Sequence, residues 1–320
     1  MIRKPSLRWS TLRVLLACAM LLMIVAHTAS AQTVSEAVAA YEQGDYATAT
    51  RLTQRFALQG DADAQLMLGF LYANGQGVPQ DHAEAVRWFR RAAEQGTASA
   101  QYNLGLAYEL GQGVPQDYAE AVRWYGRAAE QGHASAQNNF GVMYENAEGV
   151  SQDYVAAVRW YKQAAEQSDV SARYNLGNMY AKGQGVPQDY AEAARWYKRA
   201  AEQGHASAQY NLGVMYENAQ GVSQDYVAAV RWLRRAAEQG HASAQNNLGA
   251  MYANGQGVPQ DYVEAHKWYN LSAAHYSASQ NEDRGLAVGN RDRVAARMTP
   301  AQMAEAQRLA REWQPTLNDK

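Results

Sequence analysis

Carboxylates recur in this chain at a constant spacing: Asp81, Asp117, Asp153, Asp189, Asp225 and Asp261, one every 36 residues. A ladder of acids invites a reading as acid–base groups or metal ligands. Their surroundings favour another role. Each stands at the start of an apolar-periodic stretch, where an aspartate accepts hydrogen bonds from the free N–H groups of a helix end. In four units a glutamate follows three residues later (Glu84, Glu120, Glu192, Glu264), a capping-box-like pattern. Histidines are the next candidates. His133, His205 and His241 each precede Ala-Ser-Ala and stand one or two repeats apart. Packed helices lie about 8–10 Å from each other, so these side chains are too far apart to share a metal. His266 and His275 read as surface residues. No S-x-x-K, G-x-S-x-G, H-E-x-x-H or Walker loop occurs. The Gly-Gln-Gly segments lack the third glycine of a dinucleotide loop. Neither a metal nor a cofactor is expected, and no catalysis.

The elements that carry these residues repeat with them. Trp88, Trp124, Trp160, Trp196, Trp232 and Trp268 keep the same period, as do Leu68-Gly69 and its equivalents and the tyrosines Tyr72 to Tyr252. Self-similarity at such a period means a solenoid or a propeller. Six units follow: 61–96, 97–132, 133–168, 169–204, 205–240 and 241–276. Each contains two helical stretches. The first, as in Ser99 to Tyr108, stops at Gly111-Gln112-Gly113. The second starts after Val114-Pro115-Gln116-Asp117 and buries Ala121, Val122, Trp124, Tyr125, Ala128 and Ala129. Gly69, Gly105, Gly141, Gly177, Gly213 and Gly249 fall inside the first helices. Glycine there costs about 1 kcal/mol relative to alanine, so close approach of the paired helix must require it. Asn103, Asn139, Asn175, Asn211 and Asn247 recur at one position in five of the six units. They either tie neighbouring helices together or hold a ligand backbone, and the structural role is the favoured one. Units 133–168 and 205–240 are near copies, which makes the period of the middle 72.

Residues 32–60 read as a degenerate first unit broken at Gly44-Asp45, and 277–313 as closing helices in which Thr299 caps and Pro300 starts the last one. Residues 314–320 read as a tail outside the packed region. At the other end, Arg3, Lys4, Arg8 and Arg13 precede an apolar run from Val14 to Val25, and Ala29-Ser30-Ala31 follows. That is the pattern of a signal peptide, 1–31, cleaved before Gln32. The run is too short to span a bilayer comfortably. Cleavage removes those four basic residues and no acidic one, so 29 basic against 31 acidic become 25 against 31, and the net charge moves from −2 to −6. An acidic chain is not expected to bind nucleic acid. Cys18, the one cysteine, leaves with the signal. Export to the periplasm or the medium of a bacterium is the expectation.

The units resemble Sel-one-like repeats, a branch of the tetratricopeptide-like superfamily. The resemblance rests on A-x-A-x-x-x-L-G-x-x-Y, the G-x-G-V-x-x-D loop and the A-x-x-W-x-x-x-A-A second helix, and covers nearly all of 34–313. It implies an all-α fold: a right-handed α/α superhelical solenoid of antiparallel helix pairs. It also implies a protein partner on a concave face lined by the first helices. Contact positions carried over from the family lie two before and two after the Leu-Gly pair and in the turn after the tyrosine. The first set is Leu66, Tyr102, Asn138, Tyr174, Tyr210 and Asn246. The second is Phe70, Leu106, Val142, Asn178, Val214 and Ala250, and the third includes Glu109, Glu145, Lys182, Glu217 and Asn218. Tyrosine, asparagine and glutamate suit a protein-recognition surface, though ordinary helix-surface residues would look alike. A carboxylate clamp of the kind some relatives use needs several basic residues, and only Lys182 and Arg173 fall on this face. The function implied is that of a monomeric scaffold or adaptor. The alternatives are a cell-wall or β-lactam-related hydrolase and a glycan-binding module.

Overall fold

The computed structural model of the protein describes residues 35–316. The expected signal peptide, 1–31, and the last residues, 317–320, lie outside them. The described chain is all-helical and falls into two compact units. Unit one runs to Ala136 and includes Glu148–Val150; unit two is Gln137–Ala147 with everything from Ser151. Unit one holds α1 (35–42), α2 (Tyr46–Leu58), α3 (Ala62–Asn74), α4 (His82–Glu94), α5 (Ala98–Leu110) and α6 (Tyr118–Glu130). Helix α7 (Ala134–Asn146) straddles the division. Unit two continues with α8 (Tyr154–Glu166), α9 (Val170–Lys182), α10 (Tyr190–Glu202), α11 (Ala206–Asn218), α12 (Tyr226–Glu238), α13 (Ala242–Asn254) and α14 (Tyr262–His275). A short 3-10 turn (Ala278–Gln280) leads to α15 (Asn281–Ala295) and α16 (Pro300–Glu312). From α2 to α6, and again from α8 to α15, each helix packs on the next in sequence. Among the described residues no helix is long and apolar enough to cross a membrane.

The periodic aspartates are caps. Asp81, Asp117, Asp153, Asp189, Asp225 and Asp261 each accept a backbone N–H two or three residues on, at 2.8–3.1 Å. The capping box does not form. The N–H a glutamate would reach back to is already given to the preceding first helix, as in Asp81 N to Tyr72 O at 3.0 Å. The glutamates turn forward instead: Glu84 to Arg87, Glu120 to Arg123, Glu192 to Arg195 and Glu264 to Lys267.

The interior glycines have the expected cause and a specific partner. A Cβ on Gly69, Gly105, Gly141, Gly177 or Gly249 would stand 2.5–2.9 Å from a ring carbon of Phe89, Tyr125, Tyr161, Tyr197 or Tyr269. The ring that fills the space is therefore the residue after the tryptophan. The tryptophans pack one step further back; Trp88, for example, joins Phe56, Leu68 and Leu71. Arginines lie over their outer faces, Arg91 over Trp88 at 4.4 Å and Arg199 over Trp196 at 4.6 Å.

A second seam joins consecutive helix pairs through glutamine. Gln65, Gln101, Gln209 and Gln245 are buried, and each donates to a carbonyl of the preceding second helix, such as Gln65 Nε2 to Ala57 O at 3.1 Å. Each also accepts from a glutamine thirty residues on (Gln95, Gln131, Gln239) or, at the end, pairs with His275. Gln137 takes the same place and accepts from Gln167 at 2.8 Å. Arg173 replaces the glutamine in one repeat and makes the same bond, Nε to Ala165 O at 3.2 Å. That guanidinium is thus part of the seam, and is spent there.

At the C-terminus α15 and α16 pack on α14. Trp313 sets its ring edge-on to Trp268 and His275. Thr316 N donates to Glu238 O at 2.8 Å, so packing persists past the last helix. His266 is not a surface residue as expected: it is only 4% exposed, because α15 covers its helix. Burial first, then Arg291, holds its pKa below the ordinary value.

Candidate functional site

The first-helix residues expected at a partner surface fall into three groups. Tyr102, Tyr174 and Tyr210 are half-buried, and each stacks on the junction histidine that opens the next repeat. Ring centroids are 4.8 Å apart for Tyr102–His133, 4.5 Å for Tyr174–His205 and 4.8 Å for Tyr210–His241. Those histidines are helix N-caps. Their Nδ1 atoms accept the amides of Ala136, Ala208 and Ala244 at 3.2–3.3 Å. An accepting Nδ1 carries no proton, so the cap is made by the neutral ring with hydrogen on Nε2. Burial holds His205 and His241 below the ordinary histidine range. Where the tyrosine place holds Leu66, Asn138 or Asn246, the cap is Thr97, Asp169 or Ser277. This pairing within the chain was open to inspection in the sequence; its spacing across a helix pair hid it.

The second group is occupied from below by the second helices. The Tyr125 hydroxyl donates to Glu109, and Tyr161 donates to Glu145 at 2.6 Å. Tyr197 donates to Asn178 at 2.7 Å. Burial, then the glutamate, pushes the Tyr161 hydroxyl far above its ordinary pKa; burial does the same to Tyr197. These polar residues are held fixed. The asparagines behave likewise. Asn138 is buried, so it supports the face instead of standing on it, and it accepts from Asn175 at 3.0 Å. Asn246 is half-buried and accepts from Asn290 at 3.0 Å. The bond from Asn175 shows one of the repeated asparagines tying neighbouring first helices together.

The third group is Lys182 and Glu217. Lys182 is exposed in the last turn of α9. Glu217 is half-buried, and burial raises its pKa. Its counterparts meet a tyrosine sixteen residues on, where Glu217 has Leu233. Of the second set, Phe70 and Leu106 line a small cavity in unit one, and Phe70 is among its exposed apolar residues. Among the described residues no group of three or more His, Cys, Asp or Glu side chains is placed to hold a metal.

With this geometry in hand, the comparisons with known proteins are specific. The model of the Sel1 repeat matches six consecutive segments: 62–97, 98–133, 134–169, 170–205, 206–241 and 242–277. Each is offset by one residue from the units set by the tryptophan period. The crystal structure of a Sel1 repeat protein from Oxalobacter formigenes is 34% identical, with a TM-score of 0.69, over 75% of this chain and 96% of that one. A protective antigen of uropathogenic Escherichia coli strains, displaying an SLR fold, is 27% identical at a TM-score of 0.48, over 89% and 84%. No curated protein matches. Proteins of this kind are typically protein-interaction scaffolds. Six contiguous matched repeats, each built as a capped helix pair, place the chain in the Sel1 repeat family.

Proposed function

We propose that this protein is an exported, non-catalytic scaffold of the bacterial envelope that takes a protein partner on its first-helix face. The observation that carries the reading is the clamping of Tyr102, Tyr174 and Tyr210 against histidine caps. Aromatic area already fixed in place loses little freedom on binding, which is how a surface gains affinity from preorganisation. Glu109, Glu145 and Asn178 add polar groups held by buried tyrosines, and Lys182 and Glu217 add exposed or half-exposed charge.

Affinity capture from an envelope extract supplies the partner, and variants then test the face. A tyrosine at the centre of an interface often contributes about 2 kcal/mol or more. Tyr174→Ala is therefore expected to weaken binding at least about tenfold, or 1.4 kcal/mol, with the helical circular dichroism spectrum unchanged. Arg159→Ala, on a second helix with its guanidinium over Trp160, is expected to leave affinity unaltered. Parent-like binding by the triple Tyr102/Tyr174/Tyr210→Ala variant overturns the assignment of this face.

A further inference from the structure

One cavity departs from the chemistry of the rest of the chain. In unit two a space of about 290 Å³ opens between α13, α14 and α15, lined by Asn254, Tyr262, Tyr269, Asn290, Arg293 and Arg297 among others. It exists because the repeat pattern stops there. Elsewhere the last glycine of each loop between the two helices of a repeat presses on the start of the preceding second helix: a Cβ on Gly221 would lie 2.2 Å from the Tyr190 carbonyl carbon, and one on Gly257 2.2 Å from Tyr226 O. One repeat length after Gly257 stands Arg293, inside the continuous helix α15. No glycine loop closes over Tyr262, and arginines border the opening.

Neither guanidinium meets a carboxylate among the described residues. Arg293 donates to Asn290 Oδ1 and to Gly289 O; Arg297 donates to the Tyr262 hydroxyl at 3.2 Å. The neighbouring acids are engaged elsewhere. Asp292 pairs with Arg291 at 2.8 Å, Asp261 caps α14, and Glu264 holds Lys267 and Trp268 Nε1. Each arginine retains N–H groups beyond those bonds, and Tyr262, accepting from Arg297, keeps its own proton to give. The net charge of the chain is negative, whereas the two charges left without a carboxylate partner here are positive.

We infer that this cavity binds a carboxylate of an acidic peptide segment, held between Arg293 and Arg297 with Tyr262 and Asn254 as further donors. The planar fork of arginine fits a carboxylate with two parallel hydrogen bonds. The volume is at the small end for ligand pockets and suits the end of one side chain or a chain terminus. This site shares no residue with the tyrosine series, so it stands or falls apart from the function proposed above.

The test uses the full chain and a fluorescein-labelled decapeptide of alternating Glu and Gly, followed by fluorescence polarisation. The parent is expected to bind it, less tightly as salt is added. Arg293→Gln/Arg297→Gln should bind at least about tenfold more weakly, with an unchanged circular dichroism spectrum. Arg284→Gln, exposed on α15 away from the cavity, should bind as the parent does. No binding by the parent, parent-like binding by the double variant, an equal loss in Arg284→Gln, or equal affinity for a Gln-Gly decapeptide would each overturn the inference. Displacement by inorganic phosphate at concentrations where acetate has no effect would also overturn it, in favour of a phosphate site.

Discussion

At the scale of single residues, the histidine caps tie stability to protonation. Neutral His205 and His241 accept the Ala208 and Ala244 amides, and burial lowers both pKa values below the ordinary 6.5. The unfolded chain takes up these protons near pH 6.5, and the folded chain only at lower pH. Their contribution is therefore complete above about pH 6.5 and is lost as the pH falls through that value toward the folded pKa. Melting midpoints should drop further between about pH 7.5 and 5.5 in the parent than in His205→Asn/His241→Asn, whose asparagines cap without titrating. Parallel pH profiles would count against the caps. Asn178 shows the same dependence on an unseen partner. Judged as an exposed-face position, Asn178→Ala should stay within about 0.5 kcal/mol. The structure alters that expectation, because the change strands the proton of the buried Tyr197 hydroxyl. A loss of about 1–3 kcal/mol is expected in chemical denaturation.

At the scale of the helix pair, glycine and alanine carry opposite signs at two positions. The Cβ of Gly177→Ala would lie 2.6 Å from the Tyr197 ring, so helices α9 and α10 must move apart; overpacking of this kind costs about 1–3 kcal/mol. Ala219 ends α11 with φ of 55°, where Gly183 and Gly255 end the equivalent helices at 68° and 67°. A left-handed conformation costs a side-chain-bearing residue about 1–2 kcal/mol. Ala219→Gly is thus expected to stabilise, and Gly177→Ala to destabilise. Thermal melts that shift in the same direction for both would contradict this account.

At the scale of the whole molecule, we propose that the first 31 residues direct the protein to export. Their basic start, short apolar run and Ala29-Ser30-Ala31 motivate the export hypothesis. Mass spectrometry of the chain recovered from an envelope fraction should find a new N-terminus at Gln32. Intact Met1 chains confined to the cytosol would refute it. The mature protein would carry the more negative charge, which makes the arginine-lined cavity of the terminal repeat more distinct from its surroundings.

The sequence by itself determined the period, the helical class, the cap role of the six aspartates and the need for glycine inside the first helices. These are local or periodic properties: a cap acts within three residues, and six copies separate positions that cannot vary from those that can. The resemblance to a repeat family followed from the same positions. Tertiary structure decided what the variable positions touch. Tyr174 and His205, Gln65 and Gln95, and Tyr197 and Asn178 pair across helices, at separations set by how one helix lies on the next. Hydrophobic periodicity marks the buried stripe of a helix but not which buried hydroxyl rises to meet a surface asparagine. For that reason Asn138 and His266 read as exposed and are buried. The cavity beside Arg293 and Arg297 was hidden for a related reason: it arises where the repeat ends, and a pattern describes only what continues.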